Sequence, residues 1–274
     1  MTPQQLIREG KLADALAALQ DMVRKDAANA KHRVFLFQLL CVMGEWKRAL
    51  NQLNVAGELD PATLPMVQTY REAIQCEALR GEIFKAAHAP LIFGEPTPWL
   101  ALLLEAVRLE ADGQHARADE VRAQAFDAAP ASSGSIDGQG FAWVADADTR
   151  LGPVLEVIVN GRYFWVPMQR IRRIVFDAPA DLRDTVWTPA SFTWTNGAET
   201  VGLVPTRYVD TLSRKDDALL LARCTEWTDE GRGLGQRMLV TDAGEYPLMD
   251  VRTIEFDPVG ADRADTDQAQ LAHG

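Results

Sequence analysis

The sequence predicts an α+β protein of two domains, a helical-repeat array followed by a mainly antiparallel β half. Two observations predict it: a glycine, alanine and proline pattern recurs through residues 1–131, and strand-type segments divided by hairpin dipeptides fill the rest. A third is the change of texture between them, the Ser/Gly-rich run "ASSGSIDGQG" at 131–140.

The repeat is carried by Gly10, Gly44, Gly81 and Gly113, spaced by 34, 37 and 32 residues, around the 34-residue period of tetratricopeptide helix pairs. An alanine stands five residues after each (Ala15, Ala49, Ala86, Ala118), and Pro61, Pro98 and Pro130 stand seventeen after the last three. Glycine ends the first helix because it takes a left-handed turn at low cost. Alanine lets the second helix cross the first closely, and proline ends the unit because it cannot continue a helix interior. Unit two fits best, with Ala56 twelve after its glycine, and unit four repeats this with Ala125. Unit three has Phe93 there; unit one has Met22 and no closing proline. A tetratricopeptide-like (TPR-like) array over residues 1–131 is the expectation.

Stacked helix pairs present the first helix of each unit to a concave trough that grips a helix or an extended peptide. Taking the glycine as position fifteen, the inward positions of unit two are Lys31, Val34, Gln38 and Cys41. Those of unit three are Gln68, Arg71, Gln75 and Ala78, and those of unit four Leu100, Leu103, Val107 and Glu110. The candidate partner-binding residues are Lys31, Val34, Gln38, Gln68, Arg71, Gln75, Leu100, Leu103 and Val107. The alternative is that these positions pack against the second domain.

Residues 132–139 read as a linker and 140–258 as the β domain. Segments such as "GPVLEVIVNGRYFWVPM" and "QRMLVTDAGEYPLM" are rich in β-branched and aromatic residues, and Asn160-Gly161, Asn196-Gly197 and Ala243-Gly244 supply hairpin turns. An internal echo relates "VPMQRIRRIVFD" (166–177) to "YPLMDVRTIEFD" (246–257) at an offset of 80, with a weaker copy, "VPTRYVDT", at 204–211. In both long copies a proline precedes a short turn, and Ile171/Val251, Ile174/Ile254 and Phe176/Phe256 are expected to point inward. Residues 259–274, poor in large apolar side chains, are expected to be disordered.

Composition narrows the function. A hydrophobic content of 47% over 274 residues is that of a globular protein of two domains. Neither a leader nor an apolar run long enough to span a bilayer is evident, so a cytoplasmic protein without membrane contact is expected. Cys41, Cys76 and Cys224 are too widely spaced for a zinc or redox pair. The net charge of −11 divides into −3 over residues 1–131 and −8 over the remainder, which argues against nucleic acid as a partner. Arg170, Arg172 and Arg173 read as a solvated strand edge.

No motif for catalysis emerges. The four histidines, at 32, 88, 115 and 273, form no metal pair or nucleophile relay, and nucleophile elbows and phosphate loops are missing. "DADTRLG" begins like a calcium loop, but lacks the third oxygen ligand, the glycine and the closing glutamate. No catalytic residue, cofactor or metal is predicted. The alternative function is an enzyme or small-ligand site in the β domain around Asp146, Asp148, Arg150 and Arg172.

The run "GFAWVADADTRLGPVLEVIVNGRYFWVP" (140–167), with "LRDTVWTPA" (182–190), resembles the ImpE/SciE family of type VI secretion accessory proteins. "YREAIQCEALRGEIF" (70–84) and "FGEPTPWLALLLEA" (93–106) are similar to the same family, so the resemblance spans residues 1–258 almost entirely. It implies a cytoplasmic, non-enzymatic adaptor of a contractile injection machine. Its implied partner is the small, TssB-like sheath subunit, bound through a helix near that subunit's N-terminus. Its implied effect is on sheath assembly, or on recycling by a ClpV-type AAA+ unfoldase.

Overall fold

The computed structural model describes residues 1–258; the tail expected at 259–274 lies outside the described residues. The helical half runs α1 (Pro3–Arg8), α2 (Leu12–Lys25), α3 (Ala30–Val42), α4 (Trp46–Leu59), α5 (Leu64–Phe84), α6 (Pro98–Ala111) and α7 (His115–Ala128). Three of the four marker glycines behave as their spacing predicts. Gly10, Gly44 and Gly113 have φ of +71°, +72° and +76° and turn one helix into the next. Ala15, Ala49 and Ala118 are fully buried at the helix crossings. Asn29 caps α3, its Oδ1 accepting from the His32 N–H.

Unit three departs from the pattern. Gly81 lies inside α5, which continues to Phe84 and is closed by Ala86 at φ +57°. The Ala87 N–H reaches back to the Glu82 carbonyl at 2.9 Å, so Ala86 takes the left-handed role expected of Gly81. No second helix follows. The chain instead forms β1 (Leu91–Ile92), which pairs parallel with a strand of the second half. Burial of Ile83 beyond the glycine offsets the modest propensity cost of a helical glycine.

That second half begins earlier than expected. The stretch read as a linker, 132–139, contributes β2 (Gly134–Ile136), and β3 (Gln139–Phe141) hairpins onto it. Further strands are β4 (Val144–Asp146), β5 (Val154–Val159), β6 (Arg162–Pro167), β7 (Ile171–Phe176), β8 (Trp187–Trp194) and β9 (Glu199–Pro205). After the short α8 (Asp217–Leu220) come β10 (Thr225–Trp227), β11 (Gly233–Gly235), β12 (Met238–Thr241), β13 (Glu245–Pro247) and β14 (Thr253–Phe256). The main sheet has the order β1-β6-β5-β9-β8-β7-β14-β2-β3, antiparallel except at β1. Asn160 and Gly161, at φ +49° and +70°, make the tight turn between β5 and β6.

The echo at offset 80 is structural. In each copy a proline, Pro167 or Pro247, closes a strand, a 3-10 turn follows, and a new strand begins. β7 and β14 are antiparallel neighbours with Ile174 opposite Ile254. All six expected inward positions are buried. The weaker copy follows suit: Pro205 closes β9 and a 3-10 turn spans Val209–Ser213.

β5 is buried on both faces, and this joins the halves. Val154 and Ile158, with Tyr163 and Trp165 of β6, share one apolar core with α2 to α6. Leu155, Val157 and Val159 face a second core, built from β7, β8, β12 and β14.

Candidate partner-docking site

The concave side of the array is filled by the protein's own sheet. Tyr70 of α5 and Trp46 of α4 pack on Trp187 with ring centroids 5.7 and 5.9 Å apart, and Phe84 packs on Trp165 at 5.8 Å. Below these rings lies a buried ion network. The Arg80 guanidinium of α5 donates to both oxygens of Glu156 on β5, at 2.6 and 2.9 Å, and to the Arg207 carbonyl at 2.8 Å. Arg237 donates to Glu156 and to Asp146, and the Tyr163 hydroxyl donates to Glu156. Burial alone would raise the Glu156 carboxyl, but Arg80 and Arg237 outweigh it and hold it down at about 2. Burial pushes Asp146 up to about 6, because the single cation Arg237 works there against the neighbouring charges of Asp148 and Glu156.

This arrangement relocates the expected trough residues. Gln38, Leu100, Leu103 and Val107 are buried, the last three in the core shared with the sheet, so they offer no free partner surface. Lys31 stays exposed and Val34 partly so at the start of α3. On α5 the register differs from the one counted back from Gly81. The buried stripe is Val67, Tyr70, Ile74, Arg80 and Ile83, whereas Gln68 and Gln75 are exposed and Arg71 half-buried beside Asn54, to which it donates at 3.0 Å. The cause is the helix end: α5 does not stop at Gly81, so counting from that glycine selects the outer face.

Beside that outer face an open groove of about 530 Å³ runs between α5 and the sheet. Pro65, Met66 and Glu72 form one wall, and Ile158, Pro189, Val201 and Leu203 the other. Val201 is 75% exposed and Leu64, at the start of α5, is 53% exposed. Arg183 lies over the Tyr70 ring at 4.6 Å and forms the polar end of the groove. The sequence carries little signal for this groove, since it joins residues more than eighty positions apart. Glu156 was not singled out from the sequence, although a lone carboxylate in "VLEVIV" requires a cationic partner once the strand is buried.

Asp146, Asp148 and Arg150 are buried and engaged with one another and their surroundings. Arg150 donates to Asp148 at 2.6 and 2.9 Å and to Asp210 at 2.7 Å, while Asp148 also accepts from the Gly233 N–H at 3.1 Å. Arg172 is exposed on β7 and takes no part in this cluster. Arg150 reaches the wall of a cavity of about 600 Å³ between α5, α6 and the 209–213 turn, where Arg232 donates to Glu110 at 2.8 Å. Among the described residues no three His, Cys, Asp or Glu side chains are grouped to hold a metal ion.

Comparison with known proteins matches these features to a family. The family model described as ImpE protein matches residues 138–255, and a tetratricopeptide repeat model matches residues 6–74. The type VI secretion system accessory component TagJ of Pseudomonas aeruginosa is 56% identical over 261 residues, covering 95% of this chain and 93% of that protein. The crystal structure of protein VPA1032 from Vibrio parahaemolyticus superposes with a TM-score of 0.84 over 93% of this chain and 97% of its own, at 24% identity, which extends the likeness of fold. From the helical repeats through the last strand of the sheet, therefore, the chain belongs to the ImpE family, together with the type VI secretion accessory component TagJ.

Proposed function

We propose that this protein is a cytoplasmic, non-enzymatic accessory component of a type VI secretion system. It receives a helix of the small, TssB-like sheath subunit and modulates sheath assembly or ClpV-dependent recycling. The groove between α5 and β9 carries the reading, because it is an open apolar surface at the side of a repeat array whose trough is closed. A helix laid there sets apolar side chains on Met66, Val201 and Leu203; Gln68, Arg71 and Gln75 stand outside the groove on the outer face of α5, where a longer partner segment would reach them. Lys31 and Val34 extend the accessible part of the array. No helix among the described residues is long and apolar enough to cross a membrane, in keeping with work beside a cytoplasmic sheath.

Titration calorimetry with a synthetic peptide of the sheath subunit's N-terminal helix tests this. Val201→Asp is expected to weaken binding at least tenfold, because it sets a carboxylate against the apolar stripe, and Arg71→Ala with Gln75→Ala to weaken it less. Unchanged affinity in both variants would remove the groove as the site; no binding to the native protein would remove the partner.

A further inference from the structure

Helices α2, α3 and α4 enclose a second groove, of about 370 Å³, that shares no lining residue with the groove between α5 and β9. Its floor is Val23, Leu36 and Leu40. Its rim carries Arg24, Arg33 and Arg48, with the amides of Gln20, Asn51 and Gln52. The local charge is the reverse of the molecule's: residues 20–52 hold six Lys+Arg against three Asp+Glu, whereas the chain holds 28 against 39. Arg33 makes no salt bridge among the described residues. Its guanidinium donates to the Ala27 carbonyl at 3.1 and 3.2 Å and to Gln52 Oε1 at 2.8 Å. Arg24 and Arg48 hold Asp21 and Glu45, each three residues away and solvent-exposed. Exposed pairs of this kind contribute little, so both cations can turn to an incoming anion.

We propose that this groove docks an acidic amphipathic segment of a partner protein, with its apolar side chains on Val23, Leu36 and Leu40 and its carboxylates facing Arg24, Arg33 and Arg48. The sign of the rim selects the acidic class, since a carboxylate accepts the planar guanidinium fork. The aliphatic floor selects a peptide. A single-stranded nucleic acid would need aromatic platforms for its bases, and none lines the groove.

Fluorescence anisotropy on the full-length protein tests the proposal with two labelled helical peptides that share one leucine stripe. One carries glutamates between the leucines and the other lysines. The glutamate peptide is expected to bind at least tenfold tighter than the lysine peptide, and to weaken as salt screens the rim. Arg33→Glu is expected to abolish that preference and Arg33→Gln to reduce it, with the far-ultraviolet circular dichroism unchanged. If Arg33→Glu disturbs the fold, Arg48→Glu replaces it. Val201→Asp, in the groove of the sheath-helix proposal, should leave this binding intact, so either site can fail alone. Equal binding of the two peptides, full affinity in the variants, or tighter binding of a single-stranded RNA would overturn the proposal. So would a dimer in sedimentation that Arg33→Glu dissociates, because the groove would then belong to a second copy of the chain.

Discussion

Glu156 sits in an apolar strand, and its partners come from three separate parts of the chain: Arg80 from α5, Tyr163 from β6 and Arg237 from just before β12. A carboxylate placed there is tolerable only because two guanidinium groups and a hydroxyl surround it. Glu156→Gln leaves Arg80 and Arg237 short of one anion in a dry site, and a loss of about 3–5 kcal/mol in unfolding free energy is expected from denaturant titration. The pH dependence follows from the same contacts. A carboxyl held at about 2 against an ordinary 4.5 stabilises the fold fully above pH 4.5, and this is lost as pH falls toward 2. Asp146 acts with the opposite sign: raised from 3.8 to about 6, it favours the fold most below pH 3.8 and loses that share as pH rises through 6. Stability curves measured from pH 7 to pH 2 should therefore lose part of their fall between pH 4.5 and 2 in Glu156→Gln, and in Asp146→Asn lose the opposing gain that Asp146 supplies as pH falls from 6 to 3.8. An unchanged slope in the first variant would mean that Glu156 is not the charged member of the network.

At the scale of elements, the marker glycines separate into two kinds. Gly44 turns α3 into α4 at φ +72°, and a Cβ there would stand 2.7 Å from the Leu212 side chain. Gly81 has helical geometry, and a Cβ there would meet nothing within 4 Å. Gly44→Ala should lower the melting temperature, whereas Gly81→Ala should raise stability by about 1 kcal/mol through helix propensity alone. The reverse order in thermal unfolding would contradict the account of α5. This contrast also explains what the sequence could disclose. Helix pairs, hairpin dipeptides and the offset-80 echo depend on neighbours within a few residues, so they were legible from spacing and turn chemistry. The end of α5 depends on Ile83 burying against distant partners, and one misplaced helix end rotated the expected stripe Gln68, Arg71 and Gln75 to the outer face. The α5–β9 groove and the Arg24–Arg33–Arg48 rim require tertiary placement, which local periodicity does not encode.

For the whole molecule, the contacts between the halves are too buried for independent domains. Arg207, beyond the last strand of the β5–β9–β8 run, donates to the Val42 carbonyl at the end of α3 at 2.7 Å. Asp217 of α8 accepts from the Leu12 N–H at 2.9 Å and so caps α2. Arg223 reaches the Ile7 carbonyl at 2.8 Å, which ties even the first helix to the second half. With Arg80–Glu156 and the shared aromatic core, these bonds mean that neither half closes its own surface. Residues 1–131 alone would strip Trp187 from Trp46 and Tyr70 and Trp165 from Phe84, and leave Arg80 without its acceptor Glu156. Calorimetry of the full chain should accordingly give one transition whose calorimetric and van't Hoff enthalpies agree, and a 1–131 fragment should lack the dispersed amide spectrum of a folded array. Two resolved transitions, or a fragment that melts cooperatively by itself, would mean that the sheet merely rests on a self-sufficient solenoid. The trough would then open when the sheet detaches, and Leu100, Leu103 and Val107 would return as contacts for a partner helix. A single transition keeps the trough closed and leaves docking to the outer grooves, where Val201 and Arg33 are the residues to substitute.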